Sequence, residues 1–290
     1  MRRRGVAACI VPSADPHLSE YLPGHWQARQ WLSGFTGSAG TLVVTADFAG
    51  VWTDSRYFAQ ATRQLKGSGA ELVKLGVPHT AEHVEWLAGR LSAGDVVAVA
   101  GDSLAVASRE QLARRLEGID AYLRTDLDLP GEAWTDRPPL PGKPVFEHLA
   151  PFAGSPRADK LRHVRTAMKR AGADRHWLSS LDDIAWLTNL RGSDVEYNPV
   201  FLAHMLVEER GATLFVDHAK VDPALLQTLA ADDIAVADYA TAASALAALA
   251  DGSSLLLDPN RVVAALAEAI PTTVREIGRA SCRERVFVGV

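Results

Sequence analysis

Two segments of the chain, Trp31-Leu-Ser-Gly-Phe-Thr-Gly-Ser38 and Trp186-Leu-Thr-Asn-Leu-Arg-Gly-Ser193, are versions of one another, since four of their eight aligned residues are identical. Two further pairs of segments align in the same order along the chain: Met1 to Asp15 with Met168 to Asp182, and Val51 to Asp54 with Leu214 to Asp217. One match of this size could arise by chance, but three in the same order indicate an internal duplication. The sequence therefore predicts two copies of one domain.

The boundary between the copies is rich in proline. Seven of the fifteen prolines fall within 27 residues, at positions 130, 138, 139, 141, 144, 151 and 156. Such a stretch is typical of an extended, semi-rigid linker. We therefore place domain I at 1–135, the linker at 136–157 and domain II at 158–276. Copy two starts with a helix that copy one lacks, so we expect part of the first helix of copy one to precede Met1.

Each copy alternates β-rich and helical segments, which predicts two α/β domains of two or three layers. In copy one the predicted strands are Ala7 to Val11, Gly40 to Thr45, Gly50 to Thr53, Glu71 to Lys74 and Val96 to Val99. In copy two we predict a helix from Lys160 to Ala171, a strand from His176 to Ser179, and a short helix from Ile184 to Asn189 that Asp182 caps. A hairpin around Glu209-Arg-Gly211 follows, then helices near 223–230, 240–250 and 261–270, with a strand at 255–258.

Composition narrows the class of function. The chain is 48% hydrophobic and 22% charged, with a net charge of −5 and a pI near 6.0, so it has no polybasic field for nucleic acid or an anionic membrane. Two cysteines, Cys9 and Cys282, cannot build a disulfide framework, which favours a reducing, cytoplasmic compartment. The apolar run after Met1 stops at Pro12 and is better explained as a buried strand than as a signal peptide.

Two motifs suggest chemistry but have simpler explanations. The run Gly34-Phe-Thr-Gly37-Ser-Ala-Gly40 has the composition of a phosphate-binding loop, but it lacks the Gly-Lys-Ser/Thr ending and precedes a strand, which favours a tight turn. His79 and His83 are spaced for zinc on a helix, but Thr80 stands where a metallopeptidase needs its Glu, which favours a solvated helix start.

Two polar clusters exceed what packing requires. Asp54 and Arg56 lie among aromatic residues at a predicted strand end, and Arg191 and Glu196 lie in a charged loop. Polar loops on a rigid scaffold often bind ligands, although local salt bridges and turn caps would give the same pattern. These four residues are our candidates for contacts with a substrate cleft or with another domain.

Four long motifs together resemble the amino-terminal half of Xaa-Pro aminopeptidase (aminopeptidase P). They are Val11-Pro-Ser-Ala-Asp-Pro-His-Leu-Ser-Glu-Tyr21, Trp31-Leu-Ser-Gly-Phe-Thr-Gly-Ser-Ala-Gly40, Trp52-Thr-Asp-Ser-Arg-Tyr-Phe58 and Leu190-Arg-Gly-Ser-Asp-Val-Glu-Tyr-Asn-Pro-Val-Phe201. The resemblance covers nearly all of residues 1–275. It implies two tandem creatinase-like α/β domains, each a mixed sheet with flanking helices, which precede a catalytic "pita-bread" domain in the family.

The resemblance also implies the chemistry of the intact enzyme. The catalytic domain holds two divalent ions, usually manganese, through two Asp, one His and two Glu, and hydrolyses the bond before a penultimate proline. None of those ligands matches a residue of this chain, so we expect no metal, no cofactor and no catalytic residue here. The implied partners are proline-containing peptides and further copies of the intact enzyme, with neither nucleic acid nor a membrane.

The last residues of the chain are not expected to belong to the enzyme's own sequence. Glu276-Ile-Gly-Arg-Ala-Ser-Cys-Arg-Glu-Arg-Val286 resembles the translation of a common short-read sequencing adapter, so we expect the biological sequence to stop near Arg275 and residues 277–290 to form a loose tail. We therefore expect an inactive amino-terminal fragment of a cytoplasmic Xaa-Pro aminopeptidase. The alternatives are a stand-alone creatinase-like module that binds peptides or partners, and an inactive sibling that regulates the full enzyme.

Overall fold

A computed structural model describes residues 1–78 and 80–278 of the chain. The chain divides into two compact units. Unit 1 comprises Met1–Asp15 and Glu20–Leu140, and unit 2 comprises Pro16–Ser19 and the chain from Pro141 onward. The short segment 16–19 therefore belongs to unit 2 although its neighbours on both sides belong to unit 1.

Unit 1 is built on a six-stranded mixed sheet in the order β4-β3-β2-β1-β5-β6. The strands are β1 (Ala8–Pro12), β2 (Thr41–Val44), β3 (Ala49–Thr53), β4 (Glu71–Lys74), β5 (Val96–Val99) and β6 (Tyr122–Arg124). The helices are α1 (Ala28–Ser33), α2 (Phe58–Gln64), α3 (Glu82–Ala88), α4 (Val106–Glu117) and α5 (Leu129–Ala133). The three central strands β1, β2 and β3 pair antiparallel, and β4, β5 and β6 add in parallel.

The core of unit 1 lies on both faces of this sheet. Ile10 of β1 packs in a cluster with Leu112 and Leu116 of α4, whereas its neighbour Cys9 packs in a second cluster with Phe35 and Ala61. Successive strand residues point to opposite faces, so helices cover both. Unit 1 is a three-layer α/β domain.

Unit 2 repeats this topology with different residues. Its sheet has the order β12-β11-β10-β8-β13-β14. The strands are β8 (Arg175–Leu178), β10 (His204–Glu208), β11 (Ala212–Phe215), β12 (Ile234–Ala237), β13 (Ser254–Leu257) and β14 (Arg275–Gly278), with a separate antiparallel ribbon of β7 (Phe146–Glu147) and β9 (Leu190–Arg191). The helices are α6 (Arg157–Ala171), α7 (Leu181–Thr188), α8 (Pro223–Ala231), α9 (Ala242–Ala247) and α10 (Ala264–Ala267).

The strand order and the sense of every pairing are the same in the two sheets. Equivalent details recur as well, because Asp54 after β3 and Asp217 after β11 each cap a short 3-10 turn with the side-chain carboxylate. The duplication inferred from the three aligned segments is therefore visible in the topology.

Three of the differences from expectation concern the predicted cap, linker and tail. Asp182 does not cap α7, since Ser180 occupies the N-cap position and Asp182 lies in the first turn. The stretch expected as an extended linker contains β7, which pairs with β9. Ile277 and Gly278, expected in a loose tail, pair with β13 as part of β14, and the remaining tail residues, 279–290, lie outside the described residues.

Candidate functional site

Asp54 and Arg56 form one unit at the end of β3. The Asp54 carboxylate accepts the Arg56 backbone N–H at 3.1 Å and caps the 3-10 turn Ser55–Tyr57. It also accepts two bonds from the Arg56 guanidinium, Nε to Oδ1 at 2.9 Å and Nη2 to Oδ2 at 2.7 Å. The Asp54 side chain is 4% exposed and that of Arg56 57% exposed. Asp54 therefore positions Arg56, whose outer face remains available to a ligand.

The electrostatics of this pair agree with that division of roles. The hydrogen bonds and the charge of Asp54 raise the pKa of Arg56 above its ordinary value, so the guanidinium is always charged. Cζ of Arg56 also lies 5.4 Å from the centroid of the Tyr57 ring. A bidentate, oriented arginine of this kind suits recognition of a carboxylate or a peptide carbonyl.

Arg191 lies in unit 2, on β9. Its Nη1 donates to the carbonyls of Ala185 at 2.7 Å and Leu190 at 2.8 Å, at the carboxyl end of α7, where a positive charge is favourable. Arg191 is also directly opposite Phe146 of β7, a side chain that is 54% exposed. Residues opposite one another share a face of an antiparallel ribbon. The ribbon therefore puts Arg191 and Phe146 at paired positions on one of its faces.

Glu196 lies at the tip of the loop that follows β9. Val195 and Asn198 form an isolated antiparallel bridge, with the Asn198 N–H donating to the Val195 carbonyl at 3.3 Å. Glu196 and Tyr197 fill the turn between them, and both are exposed. Tyr197 is 97% exposed and has a φ of 62°, in the left-handed region that non-glycine residues rarely adopt. The turn therefore presents a carboxylate and a complete aromatic ring to the outside of unit 2.

The base of this loop is fixed by Asp194, which belongs to the charged loop found in the sequence but was not among the four candidate residues. Its backbone N–H donates to the Val200 carbonyl at 3.1 Å, and its Oδ2 accepts the Leu202 N–H at 2.7 Å. Gly192 is equally constrained, because a Cβ there would lie 2.7 Å from the Phe201 Cβ. The candidate residues of unit 2 are thus carried by an anchored loop.

Of the four residues expected at the site, Asp54 and Arg56 form a direct pair in unit 1. Arg191 and Glu196 lie on one loop segment of unit 2, with Tyr197 beside them. Tyr197 was not among the expected residues. Its position two residues before Pro199 in a charged segment is consistent with a turn, but its exposure and φ could not be inferred from the sequence.

A second polar group in unit 2 was also missed. His17, on the segment 16–19, has Nδ1 2.9 Å from the Ser179 carbonyl and Nε2 2.9 Å from the Tyr239 hydroxyl. A carbonyl oxygen only accepts, so Nδ1 of His17 carries a proton and donates to Ser179. The ring of His204 lies tilted by 31° against that of His17, with ring centroids 4.5 Å apart, and its Nδ1 is 3.0 Å from the Ser179 hydroxyl.

This histidine pair is closed to substrate. His17, His204 and Ser179 are each no more than 2% exposed. Burial, with a smaller contribution from His17, lowers the pKa of His204 well below its ordinary value, so the ring is neutral. The arrangement resembles a serine–histidine pair in distance alone, and its role is to hold segment 16–19 within unit 2.

The donor set of a dinuclear metal centre does not fit the described part of this chain. Among residues 1–78 and 80–278, no group of three or more His, Cys, Asp or Glu side chains is placed to hold a metal ion. Burial raises the pKa of Cys9 to about 11, which keeps it a thiol. His83 lies on α3, but His79 is outside the described residues. Within the same described ranges, no helix combines the length and apolarity that a bilayer crossing requires.

Two protein families match this chain, one over each of its two domains. Residues 1–125 match the family described as "Creatinase/Prolidase N-terminal domain", and residues 136–284 match a second family of the same description. Aminopeptidase P2 of Arabidopsis thaliana is 37% identical over 266 residues, which are 90% of this chain and 37% of that protein. The probable Xaa-Pro aminopeptidase P of Sordaria macrospora is 38% identical over 245 residues, 82% of this chain and 39% of that protein.

A solved structure also resembles nearly the whole of this chain. X-prolyl aminopeptidase from Caenorhabditis elegans, described as a cytosolic enzyme with a di-nuclear active site, superposes with a TM-score of 0.87 at 29% identity, covering 94% of this chain and 46% of that one. The chain thus spans less than half the length of each of these three relatives.

Proposed function

The chain belongs to the creatinase/prolidase N-terminal domain family, and from that membership we propose that it is the non-catalytic amino-terminal part of an Xaa-Pro aminopeptidase. One observation carries the proposal: the Arabidopsis relative aligns with 90% of this chain but with only 37% of its own length. The aligned part holds both creatinase-like domains. The intact enzyme would then hydrolyse the bond before a penultimate proline.

In this proposal the metal chemistry belongs to a part of the enzyme other than the residues described above. The C. elegans relative has a di-nuclear active site, and by homology the intact protein would use two divalent ions, with manganese as the expected metal. Because no described residues fit such a centre, no catalytic step is assigned to this chain. Its contribution would be to bind and orient the peptide.

The exposed polar residues suit that task. Glu196 is an exposed carboxylate that can pair with the free ammonium group of a peptide, and Arg56 has donors directed away from Asp54 that can bind peptide carbonyls. Arg191 and its ribbon partner Phe146, whose side chain is exposed, would add cationic and apolar surface for a proline residue. We therefore propose that Asp54, Arg56, Arg191 and Glu196 line the peptide cleft or contact another domain of an oligomeric, cytoplasmic enzyme.

The direct test is an activity assay on the chain as it stands. The purified protein, supplied with Mn²⁺ and an Xaa-Pro peptide, is expected to show no hydrolysis, with the Arabidopsis relative as positive control under the same conditions. Cleavage by the chain alone would contradict the proposal.

A second test concerns the gene. Long-read sequencing of the genomic locus past codon 275 is expected to show a continuous reading frame that encodes two Asp, one His and two Glu at metal-binding positions. A stop codon there would instead favour the stand-alone binding module, and the two polar loops would become the place to search for its ligand.

A further inference from the structure

A groove of about 510 Å³ lies in unit 1 between α3 and the second half of α4. A volume of this size is within the range of small-molecule binding sites in proteins. The groove, which we call the α3–α4 groove, is lined by Thr80, Ala81, Glu82, Val84, Glu85, Gln111, Arg114 and Arg115. It is open to solvent, so a ligand can enter without a movement of the chain. None of these residues belongs to the candidate site described above.

The two walls of the α3–α4 groove carry opposite charges. Glu82 and Glu85 are three residues apart on α3, so they lie on one face of that helix. Gln111 precedes Arg114 and Arg115 by three and four residues on α4, which places these three on one side of the second helix. The groove therefore has two carboxylates on one wall and two guanidinium groups on the other, and these charges balance.

Hydrogen bonds hold both walls in place. Oε1 of Glu82 accepts the backbone N–H groups of Gly76 and Val77, at 3.0 and 3.1 Å. Nε of Arg115 donates to both carboxylate oxygens of Glu85, at 2.9 and 3.0 Å, and so joins α4 to α3. These bonds lower the pKa of both glutamates and raise the pKa of Arg115, so all three groups are charged at neutral pH.

Both walls also keep hydrogen-bonding groups for a ligand. Arg115 uses only Nε in its bridge, and its two terminal nitrogens have no hydrogen-bond partner among residues 1–78 and 80–278. Nη1 of Arg114 is 3.8 Å from Oε2 of Glu110, which is beyond hydrogen-bond distance, and the Arg114 side chain is 69% exposed. Within the same described ranges, Oε2 of Glu82 accepts no hydrogen bond. A ligand can therefore bind to either wall without breaking a hydrogen bond of the protein.

We propose that the α3–α4 groove binds a short peptide of two or three residues whose amino and carboxyl groups are both free. Its carboxylate would pair with the guanidinium groups of Arg114 and Arg115, whose planar donors suit that group, and its ammonium group would lie toward Glu82. A phosphate or another simple anion would be opposed by the two glutamates, and a single amino acid would fill only a small part of the volume. This site is independent of the function proposed above.

The first test is an NMR titration of the whole ¹⁵N-labelled chain with trialanine, a peptide that has free termini and no proline. The backbone amide signals of residues 80–85 and 111–115 are expected to shift in a saturable manner, with a Kd of about 1 mM. N-acetyl-trialanine amide, which has the same side chains but no terminal charges, is expected to bind at least about tenfold more weakly. Equal binding of the blocked peptide, shifts confined to other parts of the chain, or no saturable shift each overturn the proposal.

A second test places the peptide carboxylate on the α4 wall. Because the Arg114 side chain is exposed, Arg114→Gln is expected to leave the fold intact and to raise the Kd for trialanine by at least about fivefold. Arg63→Gln, which removes an exposed arginine of α2 in the same unit, is the matched control and should leave the Kd unchanged. An unchanged Kd in Arg114→Gln, or an equal rise in both variants, overturns the proposal.

Discussion

Nζ of Lys220 lies 2.7 Å from Oδ2 of Asp194, and the two side chains are 2% and 0% exposed. The same oxygen accepts the Leu202 N–H, so one carboxylate atom joins the loop after β9 to the 3-10 turn after β11. A buried pair of this kind does not in itself show net stabilisation, but breaking it leaves an uncompensated charge. The pair fixes the position of the loop that follows β9 and carries Glu196 and Tyr197.

Removing one partner of this pair should therefore be costly. Lys220→Met is expected to lower the free energy of unfolding by about 3–5 kcal/mol, measured by urea denaturation, because Asp194 stays buried and charged. Adding Asp194→Asn should restore a large part of the loss, since no charge then remains. Arg124→Met, which breaks an exposed pair with Asp126, is the control and should change the free energy of unfolding little. An equally small change for Lys220→Met would contradict the anchoring role.

The backbone at Tyr197 predicts an unusual response to glycine. A left-handed conformation costs a non-glycine residue roughly 1–2 kcal/mol, so Tyr197→Gly is expected to raise the free energy of unfolding by up to about 1 kcal/mol after the entropy of the unfolded chain is counted. Tyr122→Gly, at an exposed tyrosine of β6, should be destabilising because it weakens a strand. Equal destabilisation by both changes would show that Tyr197 bears no strain.

The role proposed for Glu196 can be measured in the full-length enzyme. Glu196→Gln is expected to raise KM for Xaa-Pro peptides by up to about tenfold, with a smaller change in kcat. The neutral amide loses the charge attraction to the peptide ammonium group. The side chain at this position takes no part in bond cleavage, so kcat changes less. Glu209→Gln, at the exposed β10–β11 turn, provides the control. Unchanged kinetics in both variants would remove Glu196 from the cleft.

Asp102 should make unit 1 more stable in acid. Burial, with a smaller contribution from Asp128, raises the pKa of Asp102 from 3.8 to about 6. The folded state therefore binds the proton more tightly, and this contribution is lost as the pH rises from about 4 through 6. Asp102→Asn is expected to add about 3 kcal/mol of stability at pH 7.5 and almost none at pH 4. Asp136→Asn, at an exposed carboxylate, should change stability little at either pH.

His83 acts in the opposite direction. Burial lowers its pKa from 6.5 to about 4, so the folded state disfavours the proton and stability is lost as the pH falls from about 6.5 through 4. Over that window the loss is expected to be about 3 kcal/mol, and His83→Gln should remove it. Denaturation at several pH values, with the exposed His218→Gln as control, measures the difference. A variant that retains the full acid sensitivity would place its origin elsewhere.

The strands that pack on both faces were predictable because their apolar runs are continuous. Val96–Val99 matches the expected bounds, β1, β2 and β3 do so to within a residue at each end, and the edge strand Glu71–Lys74 was also predicted although it is only partly buried. The strands β6, β12 and β14 were not predicted. They lie at or near sheet edges, where residues such as Tyr122 stay exposed and the alternating pattern is lost.

The candidate residues could be found from the sequence because they lie in short segments where charged residues are concentrated near aromatic residues. The residues it did not reveal depend on contacts between distant positions. Lys220 meets Asp194 from 26 residues away, and His17 meets Tyr239 from 222 residues away.

Segment 16–19 has a consequence for the order in which the protein is made. It leaves the ribosome long before Pro141, where the remainder of unit 2 begins. Unit 2 is therefore complete only after the part of the chain from Pro141 onward has joined a piece that was synthesised first. A recombinant piece starting at Pro141 would lack His17 and with it the contacts to the Ser179 carbonyl and the Tyr239 hydroxyl. Any split of this chain for complementation or crystallography must carry that peptide with the later half.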